Sequence, residues 1–383
     1  MMIQRHHVSA LVVSAVAVAM AAAASVSFLG HSAMETIVPG PGVKDVRMLS
    51  DWFPALAGGA GDTEVYVLSG DEPGGSMLVL GGTHPNEPAS FLSALLLIEN
   101  AKPDRGTLYV IPRTNASGFT HNDPQEGAPT SFSFTLADGS ARSFRYGSRA
   151  TNPIHQWPDP DVYIHASSGQ ALSGNETRNI NRAYPGRTDG TLTERVAYGI
   201  AQLIRAESID LTVDLHEASP EYPVVNAVVA HERAMPLASN AVLGLEMQDL
   251  SITLEPSPRN LRGLTHRELG DSTDTLAVLL ETCNPSQGRL RGRTDEALVL
   301  SGKDASYMKA FELGRLYVPF DGDGISIETR VGRHLATIGE LAFALGMEKP
   351  GRDVEIGGIP PYEDLIARGV GAFLSPVPAA DRE

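Results

Sequence analysis

Short apolar runs typical of strands alternate with longer amphipathic stretches typical of helices along the chain from residue 63 onward. The pattern predicts strands at 64–68, 77–80, 107–112, 209–215, 224–230, 251–254 and 276–280. It predicts helices at 88–100, 193–206, 234–248, 306–315 and 329–345. The run 77–80 is almost wholly apolar, which indicates a strand at the centre of a sheet. Strands that alternate with helices predict an α/β fold with a central, mostly parallel or mixed sheet flanked by helices.

The pattern also divides the chain. Residues 31–62 are rich in Gly and Pro and weakly patterned, so we take them as a lead-in to a main domain over 63–300. Residues 120–175 interrupt that domain with a predicted hairpin and a Pro-rich loop, and insertions of this length beside a site usually form walls or lids. Residues 261–268 are predicted to be a solvated polar loop, and 301–383 a C-terminal extension of helical and mixed character.

Residues 1–30 have the composition of a secretory signal or a signal anchor. Arg5 is their one firm positive charge, and the uncharged run 8–24 ends in a candidate cleavage site at 22–24. The run is about 17 residues long, at the border between a cleaved signal and a membrane-spanning helix. We therefore expect an exported protein, periplasmic or extracellular, that contacts a membrane only if this segment stays attached.

The charge balance excludes some partners. The 383 residues carry a formal net charge of −16, which argues against nucleic acid and anionic lipid. Hydrophobic residues make up 42% of the chain, enough for a substantial core. Cys283 is the only cysteine, so an intramolecular disulfide is impossible, and we interpret it as a small buried thiol.

Three candidate metal ligands lie at predicted strand ends. His84 and Glu87 follow the strand 77–80, and His216 directly follows the strand 209–215. Ligands in α/β sheets bind at the carboxyl ends of strands, so distant residues meet there. Imidazole and carboxylate suit Zn²⁺, and three protein ligands leave a fourth position for water. Asp214 is a candidate to orient a ligand, whereas Glu217 is expected to point away.

Two further groups supply the remaining chemistry of metal-assisted hydrolysis. Glu281 directly follows the strand 276–280. It is separate from the His/Glu/His set, as a general base must be. Arg182 offers a planar fork for a substrate carboxylate, and Asn181 adds directed hydrogen bonds. Arg178 and Arg149 compete for the place of a second substrate-binding arginine. A polar anionic substrate is therefore expected.

At these residues the chain resembles the zinc carboxypeptidase superfamily, and within it the aspartoacylase/succinylglutamate desuccinylase branch. The resemblance implies one bound zinc with His84, Glu87 and His216 as ligands, and Glu281 as the catalytic carboxylate. It also implies hydrolysis of an amide in a small acylated amino acid or at a C-terminal residue. The matching stretches are Gly81-Gly82-Thr83-His84-Pro85-Asn86-Glu87, Asn181-Arg182, Asp214-Leu215-His216, and Glu281 with Pro285-Ser286-Gln287-Gly288.

Departures from the family pattern bear on the choice of branch. No tyrosine lies between Tyr222 and Tyr307, where carboxypeptidases place a mobile one, and a long segment follows Glu281. Both favour a deacylase, whereas the long gap between Glu87 and His216 is more like a carboxypeptidase. The leading hypothesis is a deacylase of N-acyl amino acids. The alternatives are an exported zinc carboxypeptidase or cell-wall peptide hydrolase, and a non-catalytic binding module on the same scaffold.

Overall fold

The structure, a computed structural model, describes residues 2–30, 34–123 and 127–378. Residues 1, 31–33, 124–126 and 379–383, which belong to the predicted N-terminal segment, lead-in, insertion and extension, lie outside the described residues. The strands are β1 Val43–Met48, β2 Glu64–Ser69, β3 Glu72–Leu80, β4 Lys102–Ile111, β5 Ser131–Thr135, β6 Ala141–Arg145, β7 Val162–Ile164, β8 Ala171–Ser173, β9 Leu211–Ala218, β10 Ala227–Ala230, β11 Thr253–Pro256, β12 Leu276–Cys283 and β13 Glu355–Gly357. The helices are α1 Met2–Gly30, α2 Pro88–Asn100, α3 Leu192–Ala206, α4 Met235–Glu246, α5 Thr265–Ser272, α6 Glu296–Ser301, α7 Ala305–Glu312, α8 Ile327–Glu348 and α9 Tyr362–Arg368.

The main sheet orders its strands β1-β2-β4-β3-β9-β12-β10-β11, and β13 pairs with β4 outside this path. The central strands β4, β3, β9 and β12 are parallel, while β1, β2 and β13 add antiparallel pairings. At the other edge, β10 runs antiparallel to β12 and parallel to β11. The predicted α/β fold with a mixed, largely parallel central sheet is therefore confirmed.

Two layers of helices cover the sheet because successive strand residues point to opposite faces. Met77 and Val79 of β3 belong to the core that includes α2, α4 and α8. Leu78 and Leu80 belong to the core on the other face, which α3 closes together with Leu269 of α5. Both strands are buried on two faces, but only β3 ends in a continuous apolar run, at 77–80, whereas β9 alternates apolar residues with the polar Thr212, Asp214 and His216.

The chain ends join this core more fully than the pattern predicted. The lead-in contributes β1, which pairs with β2, and the C-terminal segment contributes β13. Helix α8 packs against α2 and α4 in the larger core. The core therefore does not divide at residue 300, and the extension covers one face of the sheet.

Two local predictions were wrong or incomplete. The supposed polar loop at 261–268 turns into α5, whose residues Thr265 to Gly270 are buried. Its charges are compensated, because Arg262 forms an ion pair with Glu268 and Arg267 with Glu232. The insertion contains the predicted hairpin, β5 with β6, and a second pair, β7 with β8, that was not predicted.

The N-terminal helix α1 is exposed over its described side chains. Its segment His6–Val26 has 21 residues and is long and apolar enough to cross a membrane, by length and composition alone. A signal sequence near the N-terminus would pass the same test. The observation agrees with the prediction of a signal or anchor without showing export.

Candidate active site

A tight turn after β3 brings His84 and Glu87 together. The backbone N–H of Glu87 donates to the carbonyl of His84 over 2.9 Å, and Pro88 then begins α2. Gly82 has a φ of +61°, and a Cβ there would lie 2.7 Å from the Pro112 carbonyl oxygen. Only glycine fits this position without strain, so the Gly-Gly pair of the motif allows the turn.

His216 and Glu281 are neighbours because β9 and β12 are adjacent parallel strands in which these two residues are paired in register. Paired residues of a sheet point to the same face. Asp214 is on this face as well, two residues before His216. The strand register therefore places the third ligand and the lone carboxylate side by side.

The three predicted ligands form one buried cluster. Glu87 Oε1 lies 2.8 Å from His84 Nδ1, and Glu87 Oε2 lies 3.1 Å from His216 Nδ1. The two Nδ1 atoms are 3.1 Å apart, and each residue offers a ligand atom within 4.8 Å of the others. Two imidazoles and a carboxylate are a donor set of catalytic zinc sites, in which a water takes the fourth position.

Hydrogen bonds behind the cluster fix which ring nitrogens face it. His84 Nε2 lies 2.9 Å from Asn179 Oδ1, and His216 Nε2 lies 2.9 Å from Asp214 Oδ2. Since both acceptors take an Nε2–H, both Nδ1 atoms keep a lone pair for a metal. Asp214 is itself held by the hydroxyls of Thr83 and Thr265, over 2.6 and 2.5 Å. The donor set therefore fits a divalent metal ion.

Electrostatics make the cluster attractive to a cation. Burial alone would raise the pKa of Glu87, but His84 and His216 hold it well below its usual range. Burial, reinforced by Arg149, lowers the pKa of His84 to about 4. Burial would also lower the pKa of His216, yet Asp214 and Glu87 raise it to about 10. Without a metal, the cluster thus holds one proton on His216.

Glu281 has the environment of a base that works near neutral pH. Its side chain is partly exposed, while its Oε2 atom is shielded from solvent and has no hydrogen-bond partner among the described residues. Burial, together with the charge of Glu87, outweighs the attraction of His216 and raises the Glu281 pKa to about 8. A carboxylate in this position is available to a water or substrate group rather than committed to the fold.

The predicted arginines separate into two groups. Arg149 Nη1 lies 3.3 Å from Glu87 Oε1 and 3.2 Å from His84 Nδ1, at the mouth of the cluster. Arg182 is mostly buried, and burial lowers its pKa, with Arg149 and Glu281 among the charges it senses. Arg178, in contrast, forms a two-pronged ion pair with Asp159. Arg149 therefore contacts the cluster, Arg182 is near enough to sense Arg149 and Glu281 while its Nε lies 3.9 Å from Glu176 Oε2, and Arg178 is engaged elsewhere.

Asn181 occupies a supporting position beside the site. Its Oδ1 accepts a hydrogen bond from the backbone N–H of Thr265 over 2.8 Å and lies 3.0 Å from the Thr265 hydroxyl, which donates to Asp214. It thereby holds the start of α5, from which Thr265 contacts Asp214. Asn179, which supports His84, was missed by sequence reasoning, and only its nearness to the Asn181-Arg182 pair gave a signal.

No family model and no curated protein match the chain. Similar solved structures include the ectoine utilization protein EutE (DoeB) from Ruegeria pomeroyi, at 19% identity and a TM-score of 0.36. An aspartoacylase family protein from Mesorhizobium loti has 18% identity and a TM-score of 0.36, and a metallo-carboxypeptidase from Burkholderia cenocepacia has 13% and 0.43. The matches cover 57%, 64% and 84% of this chain and, in the same order, 53%, 62% and 68% of those chains.

The chain thus matches about half to two thirds of the length of the first two structures. The two branches that the motifs resemble are named for the aspartoacylase family protein, for the metallo-carboxypeptidase and for a succinylglutamate desuccinylase from Silicibacter, at 16% identity and a TM-score of 0.34. With identities of 13–19% and TM-scores of 0.34–0.43, the function has to be argued from the geometry of the site itself.

Proposed function

We propose that the protein is a zinc-dependent amidohydrolase that releases the acyl group of a small N-acyl amino acid. The observation that carries this proposal is the buried His84–Glu87–His216 cluster beside an uncommitted carboxylate, Glu281, on the neighbouring strand. Binding alone would need the cluster but not a shielded carboxylate with a pKa near neutrality.

Each residue then has a defined task. A zinc ion held by His84, Glu87 and His216 would supply Lewis acidity, which polarises the scissile carbonyl and lowers the pKa of a bound water. Glu281 would take the proton of the attacking water and pass it to the leaving amine. Asp214 and Asn179 keep the two imidazoles in the tautomer that presents Nδ1.

The substrate is expected to be an anion because two arginines lie at the site. Arg149 is 44% exposed, so its guanidinium lies between the ligand cluster and solvent, where a substrate carboxylate would arrive. Arg182 lies deeper and senses the charges of Arg149 and Glu281. A guanidinium pairs with a carboxylate through two parallel hydrogen bonds, which fixes the orientation of a small acyl amino acid.

A second candidate function is an exported zinc carboxypeptidase or cell-wall peptide hydrolase. The helix α1 favours it, since its length and apolar composition fit a signal or an anchor. We propose that α1 directs export, and outside the cytoplasm peptides are plausible substrates. The cluster and Glu281 would serve either reaction, so the substrate screen has to separate the two.

The test combines elemental analysis with hydrolysis assays of N-acyl amino acids and of peptides. We expect about one zinc per chain and release from the acyl amino acids. Glu281→Gln should keep the metal and lose turnover by about a hundredfold to ten-thousandfold. Glu255→Gln, on the edge strand β11, is the matched control and should keep full activity.

Three outcomes would change this conclusion. Release from peptides alone would favour the carboxypeptidase. Full activity in Glu281→Gln would remove its role as the base. A protein that neither binds zinc nor hydrolyses either substrate class after zinc is added would be a binding module.

A further inference from the structure

Helix α8 contacts the two strands that carry the site from the opposite face of the sheet. His216 and Glu281 are paired in register, and so are the next residues, Glu217 and Thr282. Because side chains alternate along a strand, Glu217 and Thr282 point to the other face, where α8 packs. Arg330 and His334, one helical turn apart on α8, contact Glu217 and Thr282 over 2.8 and 3.3 Å.

Glu217 in turn holds the metal ligand Glu87 in two ways. Its backbone N–H donates to Glu87 Oε2 over 3.0 Å. Its side-chain Oε2 accepts the backbone N–H of Ala89 over 2.9 Å, in the first turn of α2 and two residues beyond Glu87. One residue therefore fixes both the carboxylate of the ligand and the chain that carries it.

The ion pair between Arg330 and Glu217 has no solvent contact. Both side chains are 0% exposed, and Arg330 also donates to the carbonyl of Val299 in α6. Removing one partner of such a pair leaves an uncompensated buried charge, which the surroundings relieve by moving. Here the surroundings that would move include Glu87.

We propose that Arg330 is a positioning residue for the metal site and acts through Glu217 on the ligand Glu87. The inference rests on the proposed function, since it assumes that a metal binds there. It makes the C-terminal segment part of the site, although the sequence pattern predicted that segment to be an extension. The expected signature is a change in metal affinity beyond any change in overall stability.

The chain offers a matched control in a second buried Arg–Glu pair. Arg142 Nη1 lies 2.7 Å from Glu99 Oε1, with side chains 5% and 0% exposed, and Arg142 also donates to the carbonyls of Thr36 and Ser375. Within the described part of the chain, no hydrogen bond or ion pair joins this pair to His84, Glu87 or His216. Arg142→Met should therefore report the structural cost of breaking such a pair.

The experiment measures the zinc Kd by competition with a chelator and the Tm of the metal-free full chain. We expect Arg330→Met and Arg142→Met to lower the Tm by similar amounts. Only Arg330→Met should weaken zinc binding, by about tenfold or more. Arg330→Lys, which keeps the charge, should restore most of the affinity. If Arg330→Met does not fold, the zinc Kd of Glu217→Gln tests the proposal instead. This variant keeps a side-chain oxygen that accepts the Ala89 N–H and weakens the ion pair with Arg330.

Equal zinc Kd values for Arg330→Met and the wild type would overturn the proposal, as would equal losses in Arg330→Met and Arg142→Met. If Glu217→Gln is the variant tested, a zinc Kd equal to that of the wild type would also overturn the proposal. None of these results would contradict the proposed hydrolase function. A wild type that binds zinc without hydrolysing any substrate would refute that function and leave the positioning role intact, and a wild type that binds no zinc would overturn both.

Discussion

Zinc should bind this site more tightly as the pH rises, because the metal has to displace a proton from His216. The neighbouring Asp214 and Glu87 overcome burial and raise the His216 pKa to about 10. His84 is already neutral at pH 7, since burial lowers its pKa to about 4. Glu87 is already ionised, because the two histidines hold its pKa well below its usual range. Metal binding should therefore release close to one proton from the ligands.

The size of the effect follows from that single proton. A group whose pKa is raised in the folded protein stays protonated until the pH passes that pKa. Zinc therefore competes with a proton for His216 across the neutral range. The zinc Kd should fall about tenfold per pH unit, or about a hundredfold from about pH 6.5 to about pH 8.5. At pH 7, removing the proton costs about 4 kcal/mol, given a His216 pKa of about 10.

The assay should use Glu281→Gln, in which the neighbouring carboxylate cannot titrate. Calorimetry in two buffers of different ionisation enthalpy counts the released protons, and competition with a chelator gives the Kd. A Kd that does not change over this range, with no proton released, would show that His216 is already neutral in the metal-free protein. About two protons released would mean that a second group, either His84 or a zinc-bound water, also loses its proton.

Two further predictions concern the groups around the ligands. Asp214→Asn removes the charge that raises the His216 pKa, so the slope of zinc Kd against pH should flatten above neutrality; the loss of orientation should weaken binding by about tenfold to a hundredfold at high pH. An unchanged slope in the same titration would exclude Asp214 as the cause. Arg149→Ala should raise KM about tenfold or more, since a hydrogen bond to a charged group contributes about 1.5–3 kcal/mol. Arg178→Ala, which breaks the Asp159 ion pair and the hydrogen bond to the Thr151 carbonyl, should leave KM unchanged, and initial-rate kinetics that rank the two variants in reverse would assign the substrate arginine to Arg178.

The sheet and the ligand set were predictable because both depend on short-range patterns. Apolar runs marked β3 and β12, an alternating pattern marked β9, and the carboxyl ends of parallel strands meet at one rim. That rule, together with the order of the motifs and the family resemblance, predicted that His84, Glu87, His216 and Glu281 would meet. Even the support from Asp214 follows from strand alternation, since a residue two before His216 shares its face.

The choice between the arginines could not be made from the sequence. Arg149 lies within the insertion and Arg178 just after it, and their positions depend on how that segment folds back. The decisive partner is Asp159, whose pairing with Arg178 is a tertiary contact with no local signal. Helix α5 was missed for a related reason: its Arg267 and Glu268 look solvated in sequence but form ion pairs in the structure with Glu232 and Arg262, which lie outside the helix.

The placement of α8 shows why the C-terminal segment looked separable. An amphipathic helix is predicted by its periodicity, but periodicity does not say which sheet face receives it. The polar residues Arg330 and His334 stand on its buried face, where an ordinary core helix would carry apolar side chains. Because buried polar groups need hydrogen-bond partners, these two side chains require polar residues on the sheet face beneath them. Those residues are the row formed by Glu217 and Thr282, directly behind the candidate catalytic row.

Strand alternation therefore connects the contacts on the two faces of the sheet, because neighbouring residues of β9 and β12 point to opposite faces. His216 and Glu281 face the candidate site, and one residue further on, Glu217 and Thr282 face α8. A shift of either strand along its axis would move both rows together, so contacts on the α8 face also fix the spacing of the ligands. The same register pairs Glu217 with Arg330 on the α8 face, sets His216 against Asp214 on the site face, and leaves Glu281 Oε2 beside His216 without a partner among the described residues.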